Sequence, residues 1–248
     1  MKELSYGLKL WSINKDLIDQ AKKLIEKKYF NYIELTYVPE TDIKPFLDDD
    51  IDYMIHLPTN RHGVNIGDLN KKEENLELIR KGLEWADRLS AKYAILHPGY
   101  GSFENVKIFL SELEDERILI ENMPRYGLNN EDMVGYSKEE ILELKNDRFG
   151  FCFDLNHAIK AAITLNEDYK EYIKELLRLN SQMFHVADGR LDFEKDEHLD
   201  MGEGEYDWKF LINVIKESDC DYVTLETPRE TLKDDLKNLR SLKVLIWI

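Results

Sequence analysis

Histidines and carboxylates recur where short apolar runs end. The segments YMIHLP, YAILHPG, ILIENMP, GFCFDLNHA, MFHVADG, DEHLDMGEG and VTLETP carry His56, His97, Glu121, Asp154, His157, His185, Asp196, His198 and Glu226. A polar side chain that closes a buried strand costs desolvation unless something pairs it. A shared divalent metal site would pair all of these residues. Imidazole nitrogen and carboxylate oxygen suit zinc, manganese or iron. The cluster contains no cysteine, which argues against a purely structural zinc site. Asp154 and His157 stand three apart where a strand runs into its helix, so one turn can aim both at a common cavity. Asp196 and His198 flank one residue of a loop, a spacing that turns both side chains the same way on extended backbone.

Plainer readings stand beside these. A single strand-end histidine can be a hydrogen-bonded core residue, and Asp196 lies in the charged run FEKDEH. Asp188 in HVADG fits a turn. Glu34 in YIELTY fits an ion-paired or a substrate-facing carboxylate. His62 is expected on an exposed loop. Trp11 and Trp208 fit core packing better than a pocket mouth.

The elements that must position these groups follow from the hydrophobic period. Strand-like runs cover Tyr6–Trp11, Tyr32–Thr36, Asp52–His56, Tyr93–His97, Arg117–Asn122, Phe149–Asp154, Gln182–Val186 and Tyr222–Thr227. Helical spacing covers Leu17–Lys27, Glu73–Ser90, Phe103–Leu113, Lys138–Leu144, Tyr169–Leu179, Trp208–Glu217 and Thr231–Leu242, with an eighth helix expected around Ile43–Leu47. Strands that alternate with helices imply a parallel sheet, and eight such units close into an α/β (β/α)8 TIM barrel of one domain, residues 1–248. Residues two apart on a strand share a face. Met54 with His56, Ile95 with His97, Leu119 with Glu121, Cys152 with Asp154, Met183 with His185 and Thr224 with Glu226 would therefore point inward. In each pair the ligand-type residue lies at the carboxyl end, where barrel enzymes build their sites.

Bulk properties narrow the choice. The chain has 248 residues, 43% of them hydrophobic, enough for one large core. Its formal net charge of −16 weighs against polyanionic partners unless bound cations reverse the local field. The first residues, MKELSYGLKLWS, lack the apolar stretch of a signal peptide, and no run approaches membrane-spanning length. Cys152 and Cys220 are expected as reduced, buried thiols of a cytoplasmic protein. The apolar tail LKVLIWI is expected to pack across the barrel or its outer helices, a dimer contact being the other option. No protein partner is evident.

The ordered set HLP, HPG, IEN, DLNH, HVAD, DEHLDMGEG and LETP resembles the xylose isomerase-like TIM-barrel superfamily (AP endonuclease family 2), and within it the endonuclease IV group. The resemblance runs from strand three to strand eight and is much weaker in the first fifty residues. It implies the one-metal quartet of the superfamily's isomerases and epimerases at Glu121, Asp154, His185 and Glu226. It also implies the additional endonuclease IV ligands at His56, His97, His157, Asp196 and His198. Three metals, zinc with manganese as the alternative, would then be held by His56, His97 and Glu121; by Asp154, His185 and Glu226 with Glu121 bridging; and by His157, Asp196 and His198. The implied reaction is phosphodiester hydrolysis at an abasic site in DNA.

The sequence departs from that pattern in places. PTNRHGVNIGD stands where the group's DNA-penetrating loop would be, offering Arg61 as a phosphate contact but no aromatic wedge. Pro124-Arg125-Tyr126 offers Arg125 as a second contact. GEGEYDW resembles the GxGxIDW stretch of the superfamily's sugar epimerases. The alternative is therefore a metal-dependent isomerase or epimerase of a small sugar or sugar phosphate. Glu121 and Glu226 would then shuttle a proton between adjacent carbons. A third reading is a barrel that only binds a metabolite.

Overall fold

The computed structural model of the chain describes residues 3–47 and 50–247. Eight parallel strands close in sequence order into a barrel. They are β1 (Ser5–Trp11), β2 (Tyr32–Thr36), β3 (Tyr53–His56), β4 (Ala94–Leu96), β5 (Ile118–Glu121), β6 (Gly150–Asp154), β7 (Met183–Val186) and β8 (Tyr222–Leu225). Around them run α1 (Ile18–Glu26), α2 (Lys72–Arg88), α3 (Phe103–Leu110), α4 (Lys138–Lys145), α5 (Leu155–Leu165), α6 (Tyr169–Leu177), α7 (Trp208–Glu217) and α8 (Leu232–Trp247). The barrel expected from the sequence is the one observed.

The helices are distributed differently from expectation. Between β2 and β3 the expected helix Ile43–Leu47 is a 3-10 turn, Lys44–Phe46, with Pro45 in its first positions. Leu47 after it is already extended, so the turn does not continue into a helix. The eighth helix is instead α5, which starts without a loop after β6. Asp154 both ends β6 and caps α5, its carboxylate accepting the His157 backbone N–H at 2.8 Å. Two helices, α5 and α6, therefore separate β6 from β7.

The barrel interior is filled from the bottom. The Tyr32 hydroxyl meets Thr224 Oγ1 at 2.8 Å across the floor. Gly7 on β1 faces that pair, and a Cβ there would overlap the Tyr32 ring, so only glycine fits. One layer higher stand Lys9 and Glu34, direct neighbours on β1 and β2 and both buried. Alternation then delivers the strand-end residues above them, with Asp154 beside His185 and His185 beside Thr224 in register.

The outer faces of the strands pack aromatic and aliphatic side chains, among them Phe151, Phe153 and Phe184, against the helices. Cys152 and Cys220 are both buried. The apolar tail belongs to α8, where Leu239 and Leu242 are buried and Val244 is exposed. The side chains at 246–248 lie outside the described residues. No described helix is long and apolar enough to cross a membrane.

Candidate metal centre

All nine ligand-type residues gather at the carboxyl end of the barrel, in groups whose donor atoms lie within 4.8 Å of one another. His56 ends β3, Glu121 ends β5, and His97 follows β4. Glu121 Oε2 lies 3.5 Å from His56 Nε2 and 3.0 Å from His97 Nε2. The His56 tautomer is fixed by its surroundings. Nδ1 is 2.9 Å from the Leu57 carbonyl, which can only accept, so Nδ1 carries the proton and Nε2 presents a lone pair. That lone pair faces a Glu121 oxygen that is itself buried without a hydrogen-bond partner. Two electron-rich atoms facing each other in a dry site call for a positive charge between them, and a divalent cation fits the donor set.

The second imidazole–carboxylate group is built by α5 and the β7–α7 loop. His157, Asp196 and His198 lie within donor distance of one another, the grouping that the resemblance implies. His157 Nδ1 is 2.9 Å from the Asn122 carbonyl, which leaves Nε2 facing Asp196 Oδ2 at 3.6 Å. His198 Nε2 lies 3.1 Å from Asp196 Oδ1. Asn122 does more than accept that proton. Its side chain exchanges 2.8 Å hydrogen bonds with both the N–H and C=O of Asp154, continuing the β5–β6 pairing past the end of β5. Asn156 donates to Asp196 Oδ1 at 2.7 Å and is itself held by the Tyr206 hydroxyl at 2.5 Å. Lys160, fully buried on α5, donates to the carbonyls of Arg190 and Phe193 and to Glu197. These bonds tie the loop that carries Asp196 and His198 to the barrel wall.

The third group is centred on His185. Its Nδ1 lies 3.2 Å from Glu121 Oε1 and 3.1 Å from Glu226 Oε1. Asp154 belongs with Glu121 and His157 in one donor group, and Cys152 lies with Glu121 and His185 in another, so Glu121 is common to three groups and, contrary to the expectation from the sequence, a cysteine borders the cluster. Glu34 accepts from His185 Nε2 at 2.9 Å and pairs with Lys9 at 3.2 Å. Lys9 also pairs with Glu226. Of the alternatives open for Glu34 in the sequence, the ion pair is the one observed. Lys9 carries no ligand-type signature, yet a lysine between apolar residues of an inward-facing strand was its signal in YGLKLW.

Burial and neighbours set the charge of these groups. Burial, helped by Lys9, pushes His56 down to about 4. Burial is also the largest influence on Asp154 and pushes it up to about 6. At His198 burial acts downward, but Asp196 outweighs it and the pKa rises to about 9. At Glu226 burial acts upward, and Lys9 with His185 overrides it, holding the carboxyl near about 2.

The remaining expected residues occupy varied positions. Arg61 is exposed on the turn Asn60–His62 beyond β3. His62, expected on an exposed loop, is partly buried and accepts the Thr59 backbone N–H at 3.1 Å through Nδ1, closing a capping box. Arg125 pairs with Asp132 at 2.8 Å and stacks on Tyr126 and Tyr136. Asp188 accepts the N–H groups of Gly189, Gly202 and Gly204, so it shapes the turn of MGEGE. Asp207 caps α7, which accounts structurally for the aspartate of GEGEYDW. Trp208 is buried, and Trp11 is partly buried under Arg229.

A closed parallel barrel with histidine and carboxylate donors gathered at its carboxyl end belongs to the class of TIM barrels with a candidate metal site. Within that class, the chain belongs to the xylose isomerase-like TIM barrel family, whose profile matches residues 13–243. A probable endonuclease 4 of Mycoplasmopsis agalactiae is 27% identical over 231 residues, covering 84% of this chain and 79% of that protein. A solved D-tagatose 3-epimerase-like protein matches with a TM-score of 0.76 at 22% identity, over 100% of this chain and 97% of that one. Endonuclease IV from Thermus thermophilus matches with a TM-score of 0.71 at 21% identity, over 98% and 99%. At such identities the structural matches establish the barrel, and the chemistry has to be argued from the site.

Proposed function

We propose that the protein is a metal-dependent phosphodiester hydrolase acting at abasic sites in DNA, with up to three divalent cations, zinc by donor type. The observation that carries this reading is the pair of donor groups outside the one-metal quartet. His56 and His97 converge on Glu121, and His157, Asp196 and His198 converge separately. A one-metal isomerase has no use for either. Bound divalent cations supply a nucleophile from water near neutral pH and offset charge on a phosphate as its P–O bond breaks.

The chain's own contribution is orientation and proton placement. Leu57 and Asn122 carbonyls hold the Nδ1 protons of His56 and His157, which leaves both Nε2 atoms facing carboxylates. Glu121 lies between the groups and shares its single negative charge among them, one oxygen toward His56 and His97 and the other toward His157 and His185. His185 on β7 and Glu226 just past β8 stand together, held from below by Glu34 and Lys9.

The test is incision of a duplex containing one abasic site by zinc-loaded protein. Cleavage is expected 5′ to the lesion and should be lost in His97→Ala and Glu121→Ala. Absence of incision by the loaded, unmutated protein defeats the reading. A second reading, isomerisation or epimerisation of a small sugar or sugar phosphate, is favoured by the state of two arginines. Arg125 and Arg190 are both already paired with carboxylates, Asp132 and Glu197, as suits a small substrate better than a duplex. In that case Glu121 and Glu226 would exchange a proton between neighbouring substrate carbons.

A further inference from the structure

Beneath the donor groups, Lys9 and Glu34 join His185 and Glu226 in a closed ring of buried charge. Lys9 on β1 faces Glu34 on β2 at 3.2 Å. Glu34 accepts from His185 Nε2 at 2.9 Å. His185 Nδ1 reaches Glu226 Oε1 at 3.1 Å, and Glu226 returns to Lys9. Lys9 is 7% exposed, while Glu34 and His185 are fully buried. Burying an ammonium and a carboxylate costs several kcal/mol per ion unless each is well paired. Apolar residues of the same size would fill a barrel floor without that cost, so packing alone does not explain the pair.

We infer that Lys9 and Glu34 are positioning residues of the metal centre. The inference rests on His185 being a ligand, which both proposed functions share. An imidazole binds a cation through one nitrogen, and the hydrogen bond at the other decides which nitrogen that is. Glu34 takes the Nε2 proton of His185, so the Nδ1 lone pair faces Glu121 and Glu226. Lys9 holds Glu34 against His185 and draws the Glu226 carboxylate to the same edge of the ring. Glu34 also lies within donor distance of His185 and Glu226, which raises the rival assignment of Glu34 as a ligand. Two features oppose that assignment: the Lys9 ammonium already contacts both carboxylates, and the Glu34–His185 separation is that of a hydrogen bond.

The experiment is a zinc titration of the full chain against a competing chelator, using Glu34→Gln and Glu34→Met. Gln keeps an oxygen that can accept from His185, whereas Met keeps the volume and removes the acceptor. Met is expected to weaken one zinc equivalent about ten- to hundredfold, the usual effect of losing such a partner, and Gln to weaken it less. Other equivalents should stay as tight as before. Equal losses for Gln and Met would make Glu34 a ligand, and no loss in either would remove its role; both results overturn the inference. A measurement on the unmutated protein guards against a variant that fails to fold. In zinc-loaded chain, nitrogen-15 NMR should find the His185 proton on Nε2, and a proton on Nδ1 overturns the inference. If the unmutated protein holds one equivalent only, the three-metal hydrolase reading fails. The same titration then still tests the inference on that single equivalent.

Discussion

Lys160→Met is expected to loosen one metal group while leaving the others intact. Lys160 is fully buried, and its ammonium makes three bonds of 2.8, 2.8 and 2.9 Å to Arg190 O, Phe193 O and Glu197 Oε1. Hydrogen bonds to charged groups contribute about 1.5–3 kcal/mol each when their loss leaves a buried partner unsatisfied. Here the losses are smaller. Glu197 keeps Arg190, and the exposed residues 190–194 let their carbonyls recover water. Methionine also retains the packing of the lysine stem. The net cost comes to about 2–3 kcal/mol, or roughly 4–12 °C in Tm for a domain of this size. Because the freed loop carries Asp196 and His198, zinc affinity of the His157–Asp196–His198 group should fall about ten- to hundredfold. Urea unfolding of the cation-free protein and chelator competition measure the two effects. A stability change below about 0.5 kcal/mol with all equivalents unaltered refutes the argument. So does parallel weakening of every equivalent.

Proton competition should differ between the groups. In the cation-free chain His198, at about 9, carries a proton at neutral pH, whereas His56, at about 4, does not. Lowering the pH from about 8 to about 6 should therefore release metal from the His157–Asp196–His198 group first, as followed by metal content after dialysis. Release from the His56–His97–Glu121 group first would contradict this. The sign for cation-free stability is opposite to that of the metal. A histidine raised from 6.5 to about 9 contributes stability that is complete below pH 6.5 and is lost as the pH rises through 9. His198→Gln should flatten that part of the denaturation profile, and an unchanged profile would count against the assignment. Arg61→Glu should weaken duplex binding and reduce its salt dependence by about one counterion while sparing hydrolysis of a small phosphodiester. Equal loss on both substrates would show that Arg61 makes no contact with DNA.

The gathering of these donors at the carboxyl end of the barrel was legible because strand alternation and the carboxyl-end rule are local. A polar residue closing YMIH or ILIE can only face the interior if the residue two before it does. Helix α5 was legible only as strand six running into its helix, not as an element separate from α6. The α5 polar residues Asn156, His157 and Lys160 recur at helical spacing but are buried, and no loop separates the helix from β6. The expected helix at Ile43–Leu47 is a single 3-10 turn because so short a segment closes little more than one turn and the backbone is extended again at Leu47. The supporting contacts were out of reach for a different reason. Asn122 bonds to Asp154 across 32 residues, Lys160 to Glu197 across 37 and Lys9 to Glu226 across 217. Such partners are set by barrel closure, which a reading of neighbouring residues cannot supply. His62 was underestimated because its ring caps its own turn, a use that its sequence surroundings do not reveal.

The account stands on cations being held where these donors meet, and the most direct measurement is anomalous scattering from crystals grown with saturating zinc. Peaks are expected among His56, His97 and Glu121; around His185 and Glu226; and among His157, Asp196 and His198. A cup without bound metal under those conditions, or zinc confined to surface carboxylates, would contradict it.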